Sequence, residues 1–381
     1  MVGKSDTTRL TRSWLRGALS RPLQACNGAS TSFQPAATDP LHSAVAHVRI
    51  GISNVIPMRE TGFWRSPSML STWWRRRRPT LAQPGEKQRR LVFVLGGGGS
   101  RGACSVGVLK ALLEAGIKPD GLVGCSSGAF NAVALAAKPD LETIAQLAQV
   151  WRSIRNRDLF HRNPLRMAYR YVRTRNSVFD SRYLRTLAAM NLPATFEQLS
   201  LPCAVIATNL TRARKEIFTT GSVPDAVAAS AAIPGLFNPY RIGDEEFVDG
   251  AVAENVGLPE AIQLGATHIV AIDNSTSNPR RPPNHTLTGI LAQSIQIMLG
   301  QRMLEEYQRY SDQAEICLMV PNVEFGTAGT DFSQVDRLID EAYARTRGFL
   351  EAGGLDRKGR LEPGIHYMLP LRHPSVISLA Q

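Results

Sequence analysis

Several features that mark common protein classes are missing from this 381-residue chain. Its five cysteines (Cys26, Cys104, Cys125, Cys203 and Cys317) are an odd number and form neither a Cys-x-x-Cys pair nor a Cys/His pairing. This pattern argues against a disulfide framework and against structural zinc, and it favours a reducing compartment.

An unbroken apolar segment is also missing from the N-terminus. Arg12, Arg16 and Arg21 interrupt the stretch that could otherwise serve as a secretory signal. The uncharged run between Asp120 and Lys138 contains a Gly-x-Ser-x-Gly turn, so it does not read as a membrane span. These observations predict a cytoplasmic protein with no secretory signal or transmembrane helix, and they leave peripheral membrane contact open.

Acidic residues are scarce in the first part of the chain. Residues 1–90 hold 15 Lys and Arg against 4 Asp and Glu, whereas the remainder holds 29 against 28. Nearly all of the net charge of +12 thus belongs to the N-terminal part, and the near-neutral body gives no support for nucleic-acid binding. Residues 1–89 show no lasting hydrophobic period, which predicts a basic, disordered tail. A transit peptide, or upstream sequence translated from a misplaced start, are the alternatives.

The remaining sequence alternates short apolar runs with helical patterns, which predicts an α/β protein with a mainly parallel sheet. We expect a catalytic core over residues 90–274 and a C-terminal extension over 275–381 that packs on it. The first unit should be βαβ, with parallel strands at Leu91–Leu95 and Gly121–Gly124. Further strands are predicted at 203–208, 215–220, 247–249, 268–273 and 315–320, and helices at 140–154, 224–232, 259–264, 287–308 and 334–351.

The second predicted strand leads into Gly-x-Ser-x-Gly at Gly124, Ser126 and Gly128, and helix-forming residues follow. This is the pattern of a nucleophile elbow, in which a strand turns sharply into a helix. The two glycines lack the Cβ atoms that would collide in so tight a turn. Ser126 should then stand above the sheet edge, at the positive N-terminus of the helix.

A glycine loop follows the first predicted strand, from Gly97 to Gly102. It also satisfies Gly-x-Gly-x-x-Gly, so a nucleotide-binding oxidoreductase is the competing hypothesis. That hypothesis needs an acidic residue after the second strand, where this chain has Cys125 and Ser126. We interpret the loop as an oxyanion hole in which the backbone N–H groups of Gly98 and Gly99 are the donors. Arg101 could hold the loop, meet a phosphate or form a structural salt bridge.

A serine nucleophile needs a base, and none of the seven histidines lies in a Gly/Asp-rich turn. His268 begins a predicted buried strand and is interpreted as structural. The sequence offers Asp249-Gly250-Ala251 at the end of a strand instead. A carboxylate there can accept the serine proton directly if partial burial raises its pKa.

Taken together, these motifs resemble those of the patatin-like phospholipases. The resemblance rests on Gly-Gly-Gly-x-Arg-Gly, Gly-x-Ser-x-Gly and Asp-Gly-Ala in this order, with the Ala-Ser-Ala-Ala-Ile-Pro-Gly run of 229–235 between the last two. It covers roughly residues 91–266. It implies a three-layer α/β/α patatin-like hydrolase core with a Ser–Asp dyad of Ser126 and Asp249. It also implies an oxyanion hole lined by Gly97, Gly98 and Gly99. One departure is Asn255-Val256-Gly257 where Asn-x-Pro is common, with the proline delayed to Pro259.

The activity implied by this resemblance is hydrolysis of phospholipids, lysophospholipids or other fatty-acyl esters, without metal or cofactor. A non-catalytic, membrane-associated scaffold of the same fold is a second alternative. Residues 159–179 carry five arginines with interleaved aromatic residues and no acid until Asp180. They are either a solvated basic face or a cap that meets anionic head groups.

Overall fold

The computed structural model describes residues 89–154, 172–173, 177–275, 285–323, 329, 331–356 and 358–368. The predicted tail at 1–89 lies outside these residues apart from Arg89. Most of the basic segment at 159–179 lies outside them as well. The proposed domain limits and the disorder of the tail stay predictions.

One sheet organises the described part of the chain. Its strand order is β5-β6-β3-β2-β1-β7-β8-β9, with β4 paired to β3. Neighbouring strands pair in parallel along the part of the sheet ordered β3-β2-β1-β7-β8-β9. The pairs β3-β4, β3-β6 and β5-β6 are antiparallel. The strands are β1 (Leu91–Leu95), β2 (Gly121–Cys125), β3 (Cys203–Asn209), β4 (Arg214–Phe218), β5 (Tyr240–Ile242), β6 (Glu245–Asp249), β7 (His268–Ile272), β8 (Glu315–Val320) and β9 (Gly364–Tyr367).

Helices cover both faces of this sheet. The α-helices are α1 (Gly102–Glu114), α2 (Ser127–Ala137), α3 (Leu141–Ser153), α4 (Arg182–Asn191), α5 (Val223–Ser230), α6 (Leu258–Gln263), α7 (Leu287–Tyr310) and α8 (Val335–Glu351). Side chains of β1 alternate between two cores, since Phe93 and Leu95 pack with α1, α2 and α8 while Val92 and Val94 pack with α6 and α7. Central strands buried on both faces are expected of parallel sheets, and the result is a three-layer α/β/α architecture.

Most of the predicted elements are confirmed. β1 and β2 pair in parallel as the βαβ prediction required. Asp140 caps α3 by accepting the Thr143 N–H at 2.9 Å. Strands β5 and β9 and helix α4 were not predicted, because β5 and β9 are three and four residues long and α4 has a single buried residue, Ala188. β8 and β9 continue the central sheet after residue 275, where the sequence predicted helices and a strand at 315–320.

Candidate active site

Ser126 occupies a sharp turn between β2 and α2. Its φ of 55° and ψ of −125° are strained for a residue with a side chain. A Cβ on Gly124 would lie 2.5 Å from Ala129 Cα, and a Cβ on Gly128 would collide with the Leu95 carbonyl oxygen. Both glycines are therefore required by close backbone approach. Local packing of the elbow holds Ser126 in its strained conformation.

Asp249 lies directly beside Ser126 although 123 residues separate them in the chain. The Ser126 hydroxyl donates a hydrogen bond to Asp249 Oδ2 at 2.6 Å. The other carboxylate oxygen, Oδ1, accepts the Ala251 N–H at 2.9 Å. Both Ser126 and Asp249 are 4% exposed, so this pair is held in a largely dry environment.

The pKa of Asp249 is raised from 3.8 to about 6. Burial is the main cause, because it disfavours the charged carboxylate; the hydrogen bonds from Ser126 and Ala251 act in the opposite direction. A carboxylate with a pKa of about 6 is a stronger base than an exposed aspartate, yet it is still mostly ionised at neutral pH. The pair can therefore move a proton from the serine to the carboxylate.

The turn after Asp249 depends on the residues that were predicted to shape it. A Cβ on Gly250 would collide with the Ile206 carbonyl oxygen of β3. Ala251 supplies the amide that binds Asp249, within a short 3₁₀ turn over Gly250–Val252. Gly257 has a φ of 71° and precedes α6, and Pro259 lies in the first turn of that helix. The delayed proline is thus accommodated by a left-handed glycine.

The glycine loop runs from the end of β1 past Ser126. A Cβ on Gly97 would lie 2.9 Å from the Ser126 Cβ, so the loop can approach the serine only without a side chain here. The Gly97 N–H donates to Asn255 Oδ1 at 3.1 Å. In the part of the chain that the structure describes, neither the Gly98 N–H nor the Gly99 N–H donates a hydrogen bond. The N–H of Gly97 is therefore used by Asn255, while the N–H groups of Gly98 and Gly99 could each donate a hydrogen bond to a substrate oxygen.

Two further motif residues connect this loop to α1. Arg101 is half-buried at the end of the 3₁₀ turn Gly99–Arg101, and its amide donates to the Gly98 carbonyl at 3.2 Å. A Cβ on Gly102 would lie 2.5 Å from the Ser127 hydroxyl oxygen. Gly102 thus lets the loop approach the start of α2. The backbone contact of Arg101 does not distinguish among its three predicted roles.

Three polar residues that support the site were not identified from the sequence. Ser230 accepts the Ser126 N–H at 2.8 Å and donates its hydroxyl proton to the Ile206 carbonyl at 2.5 Å. Asn255 holds Gly97, and the Asn274 amide donates to Ser105 Oγ at 2.7 Å beside the same loop. Ser230 and Asn255 both lie in motifs noted in the sequence, but the sequence did not indicate that their side chains contact Ser126 and Gly97.

His268 begins β7, at the amino edge of the sheet and away from Ser126. Its Nε2 lies 3.2 Å from Glu315, at the start of β8, and burial lowers its pKa. The structural interpretation of His268 is consistent with this position. None of the histidines in the described residues lies among the residues that surround Ser126.

An apolar cavity opens beside Ser126. The centres of water-sized molecules can occupy about 90 Å³ of it. Ser126 and Gly99 contribute to its wall. The apolar side chains that enclose it include Phe130, Trp151, Leu184, Leu187, Val227 and Phe237.

In the parts of the chain that the structure describes, no helix is both long enough and apolar enough to cross a membrane.

Residues 93–262 match the family model of patatin-like phospholipases. The chain is similar to the lysophospholipase nte1 of Aspergillus terreus, with 31% identity over 285 residues covering 69% of this chain and 18% of the relative. It is also similar to the neuropathy target esterase sws of Drosophila melanogaster, with 31% identity covering 48% of this chain and 13% of that protein.

An uncharacterized NTE family protein of Mycobacterium tuberculosis is 27% identical, covering 54% of this chain and 55% of the relative. The chain thus spans about half, or less than a fifth, of the curated relatives it matches. Among solved structures, VipD from Legionella pneumophila is similar with a TM-score of 0.37 and 15% identity, covering 70% of this chain and 67% of VipD.

Proposed function

Because residues 93–262 belong to the patatin-like phospholipase family, we propose that this chain is a serine hydrolase of fatty-acyl esters, of the phospholipase or lysophospholipase type. The observation that carries the proposal is the 2.6 Å hydrogen bond from the Ser126 hydroxyl to the buried Asp249 carboxylate. A nucleophile within hydrogen-bond reach of its base, on a strained turn, is the arrangement that covalent catalysis requires. The reaction is that of a carboxylic ester hydrolase.

In the first half of the proposed reaction, Ser126 Oγ attacks the ester carbonyl carbon and Asp249 accepts the hydroxyl proton. The carbonyl oxygen becomes negative and is bound by the N–H groups of Gly98 and Gly99. Removing one such donor typically costs about 3 kcal/mol of barrier height. When the carbon–oxygen bond of the ester breaks, Asp249 returns the proton to the departing alcohol or lysophospholipid.

Water completes the reaction in the second half. Asp249 takes a proton from the water molecule as its oxygen attacks the acyl group on Ser126. The same two amides stabilise the second tetrahedral intermediate, and its collapse releases the fatty acid. The proton on Asp249 returns to Ser126 Oγ. One carboxylate with a pKa of about 6 serves as base and then as acid in each half.

The cavity next to Ser126 supports an acyl substrate. Its walls are formed largely by aliphatic and aromatic side chains, including Phe130, Leu187 and Val227. A hydrocarbon chain buried there would leave water without desolvating any charged group. We therefore assign the acyl chain to this cavity and the head group to the solvent side.

Labelling with a fluorophosphonate tests the assignment of Ser126. The wild-type protein should form a covalent adduct and release fatty acid from lysophospholipids or p-nitrophenyl esters. Ser126→Ala should lose the adduct and lower turnover by ~10³ or more. Ser127→Ala is the matched control and should retain both, because Ser127 starts α2 and its hydroxyl makes no hydrogen bond to any described residue.

The same experiment separates the alternatives. A folded wild-type protein that neither reacts with fluorophosphonate nor hydrolyses any ester would favour a scaffold of this fold. Dinucleotide recovered with the purified protein would favour the oxidoreductase hypothesis, which the family match does not support.

A further inference from the structure

Helix α7 exposes an unusual amount of apolar surface in its first half. Six large side chains between Leu287 and Met298 are each 49–76% exposed. They are Leu287, Ile290, Leu291, Ile295, Ile297 and Met298. We call this set the α7 apolar face. Contiguous exposed apolar surface of this kind marks a contact site more often than isolated apolar residues do.

The second half of α7 behaves differently, because it packs on the sheet. Leu299 and Met303 are buried, and Leu304, Tyr307 and Tyr310 pack against the core that faces β7 and β8. Twelve helical residues, 299–310, span about 18 Å, close to the length of a five- or six-residue strand. The second half is therefore sufficient to cover β7 and β8, and the first half projects about 18 Å further.

The direction of α7 fixes the edge at which the first half projects. β7 and β8 are parallel neighbours, so the helix between them runs back from the carboxyl edge of β7 to the amino edge of β8. Its last residue, Tyr310, accepts hydrogen bonds from residues just before β8, and Glu315 N–H donates to Thr267, just before β7. Leu287 thus lies towards the carboxyl edge. That edge also holds the glycine loop, because the Ile272 carbonyl accepts the Gly96 N–H.

The composition of the projecting half suits a lipid surface. No Asp, Glu, Lys or Arg occurs from Leu287 to Gln301. At about 100° per residue, the six side chains occupy an arc of about 160° centred nearly opposite the buried Met303. An interfacial helix inserts the apolar side chains of such an arc into the boundary between head groups and acyl chains.

A second copy of the chain fits this surface less well. A stable dimer usually buries about 800 Å² per partner through roughly 20–30 residues a side. The α7 apolar face offers six large side chains on one projecting half-helix. It also lies towards the same carboxyl edge of the sheet as the glycine loop.

We propose that the α7 apolar face docks on the surface of a phospholipid bilayer and presents the Ser126 edge to it. The proposal rests on the proposed function for its choice of partner. Docking would shorten the path of a lipid from the bilayer to the apolar cavity. It requires no membrane-spanning segment.

Vesicle binding tests the proposal independently of catalysis. The full-length protein with Ser126→Ala is mixed with phosphatidylcholine vesicles, and the bound fraction is measured by flotation. Adding Ile290→Gln, Leu291→Gln and Met298→Gln should reduce the partition coefficient by about tenfold or more. Leu141→Gln is the matched control: Leu141 is 45% exposed but begins α3 at the opposite edge, so binding should not change.

A direct probe accompanies the binding measurement. The added indole of Leu291→Trp should shift its emission to shorter wavelength when vesicles are added, whereas that of Leu141→Trp should not. In a protein with intact Ser126, the triple Gln variant should keep its turnover of p-nitrophenyl butyrate, which is soluble. An inactive wild type that still binds vesicles through α7 would refute the proposed function alone.

Three results would overturn the docking proposal. The parent protein could fail to bind vesicles, or the folded triple Gln variant could bind them as well as the parent does. Sedimentation velocity could also show a dimer that the triple variant loses while its vesicle binding stays unchanged. In that case the α7 apolar face is a contact between two copies of the chain.

Discussion

Among the described residues, carboxyl groups are buried in the candidate site and in a second region, and the surroundings of these two regions differ. In the candidate site, Asp249 accepts hydrogen bonds from the Ser126 hydroxyl and the Ala251 amide, both neutral donors. In the second region, which we call the acidic cluster, Glu254, Glu260 and Glu306 are all at most 8% exposed. This cluster lies between β4, α6 and α7 and contains two cations.

Ion pairs hold the acidic cluster together. Lys215 Nζ lies 2.5 Å from Glu260 Oε1 and 3.5 Å from Glu254 Oε2. Arg302 Nε lies 3.1 Å from Glu306 Oε1, and the same guanidinium reaches Glu254 at 3.7 Å. Burial and the neighbouring Glu254 raise the pKa of Glu306 to about 8. The cluster joins α7 to the chain segment that follows Asp249.

The comparison shows that a buried carboxyl with a raised pKa does not by itself indicate catalysis. Asp249 and Glu306 share both properties, and burial is the main cause of each shift. They differ in what they contact. Asp249 accepts a hydrogen bond from a serine hydroxyl beside a cavity, whereas Glu306 lies beside the charged groups of Arg302 and Glu254. Perturbed pKa values occur in structural ion-pair networks as well as in active sites.

The largest expected effect comes from removing the base. The amide of Asp249→Asn can still form a hydrogen bond with the Ser126 hydroxyl, but it cannot accept the hydroxyl proton. Turnover should therefore fall by ~10³. Thermal unfolding checks that the variant is folded. Above about pH 6 the wild type must bury an ionised Asp249, a cost that asparagine avoids, so the variant's Tm at about pH 8 should not be lower.

Retained activity in folded Asp249→Asn would show that another group is the base. A single His→Ala variant with a loss equal to that of Ser126→Ala would point to a triad instead.

The pH profile of the wild type sharpens the same contrast. Only ionised Asp249 can accept the serine proton, so kcat/KM on a soluble ester should fall as pH falls through about 6. Well below that pH the loss should approach about tenfold per pH unit, and the residual activity of Asp249→Asn should lack this limb. Glu306→Gln should keep the wild-type profile. An unchanged rate down to about pH 4 would contradict the raised pKa of Asp249.

A smaller effect is expected where a side chain only positions the glycine loop. Asn255→Ala removes the acceptor of the Gly97 N–H and frees the loop beside Ser126. We expect kcat to fall by roughly tenfold to a hundredfold with little change in KM, because the oxyanion contacts matter mainly in the transition state. Asn191→Ala, at the exposed end of α4, is the control and should leave kcat unchanged. A rise in KM alone would assign Asn255 to substrate binding.

The elements that could be predicted from the sequence are those with local signals. The elbow needs Gly124 and Gly128 on either side of Ser126, and the turn after β6 needs Gly250. Tight turns of this kind can be recognised from short glycine-containing motifs. The parallel sheet followed from uninterrupted apolar runs at β1, β2 and β7.

The supporting contacts could not be predicted because they join distant parts of the chain. The hydrogen bond between Asn255 and Gly97 joins residues that are 158 positions apart in the sequence, and the bond between Ser230 and Ser126 joins residues 104 positions apart. The N–H groups of Gly98 and Gly99 were interpreted from the sequence as the oxyanion donors, whereas the hydrogen bond from the Gly97 N–H to Asn255 was not predicted. In α7 the helix itself was predicted, whereas its exposed first half depends on how far the sheet extends beneath it.

The smallest expected effect concerns Glu306, and it tests whether the acidic cluster is structural. The pKa of Glu306 is about 8 in the folded protein and near 4.5 when unfolded, so folding favours its protonated form. This contribution to stability is complete below about pH 4.5 and is lost as pH rises through about 8. Glutamine imitates the protonated form, so Glu306→Gln should match the wild-type Tm at about pH 5. At about pH 9 its Tm should be higher by roughly 2–5 °C.

Glu351→Gln, which removes an exposed partner of Arg347 on α8, is the control and should show no such trend. A constant Tm difference between wild type and Glu306→Gln across this range would mean that Glu306 is ionised throughout, and that the cations beside it outweigh its burial.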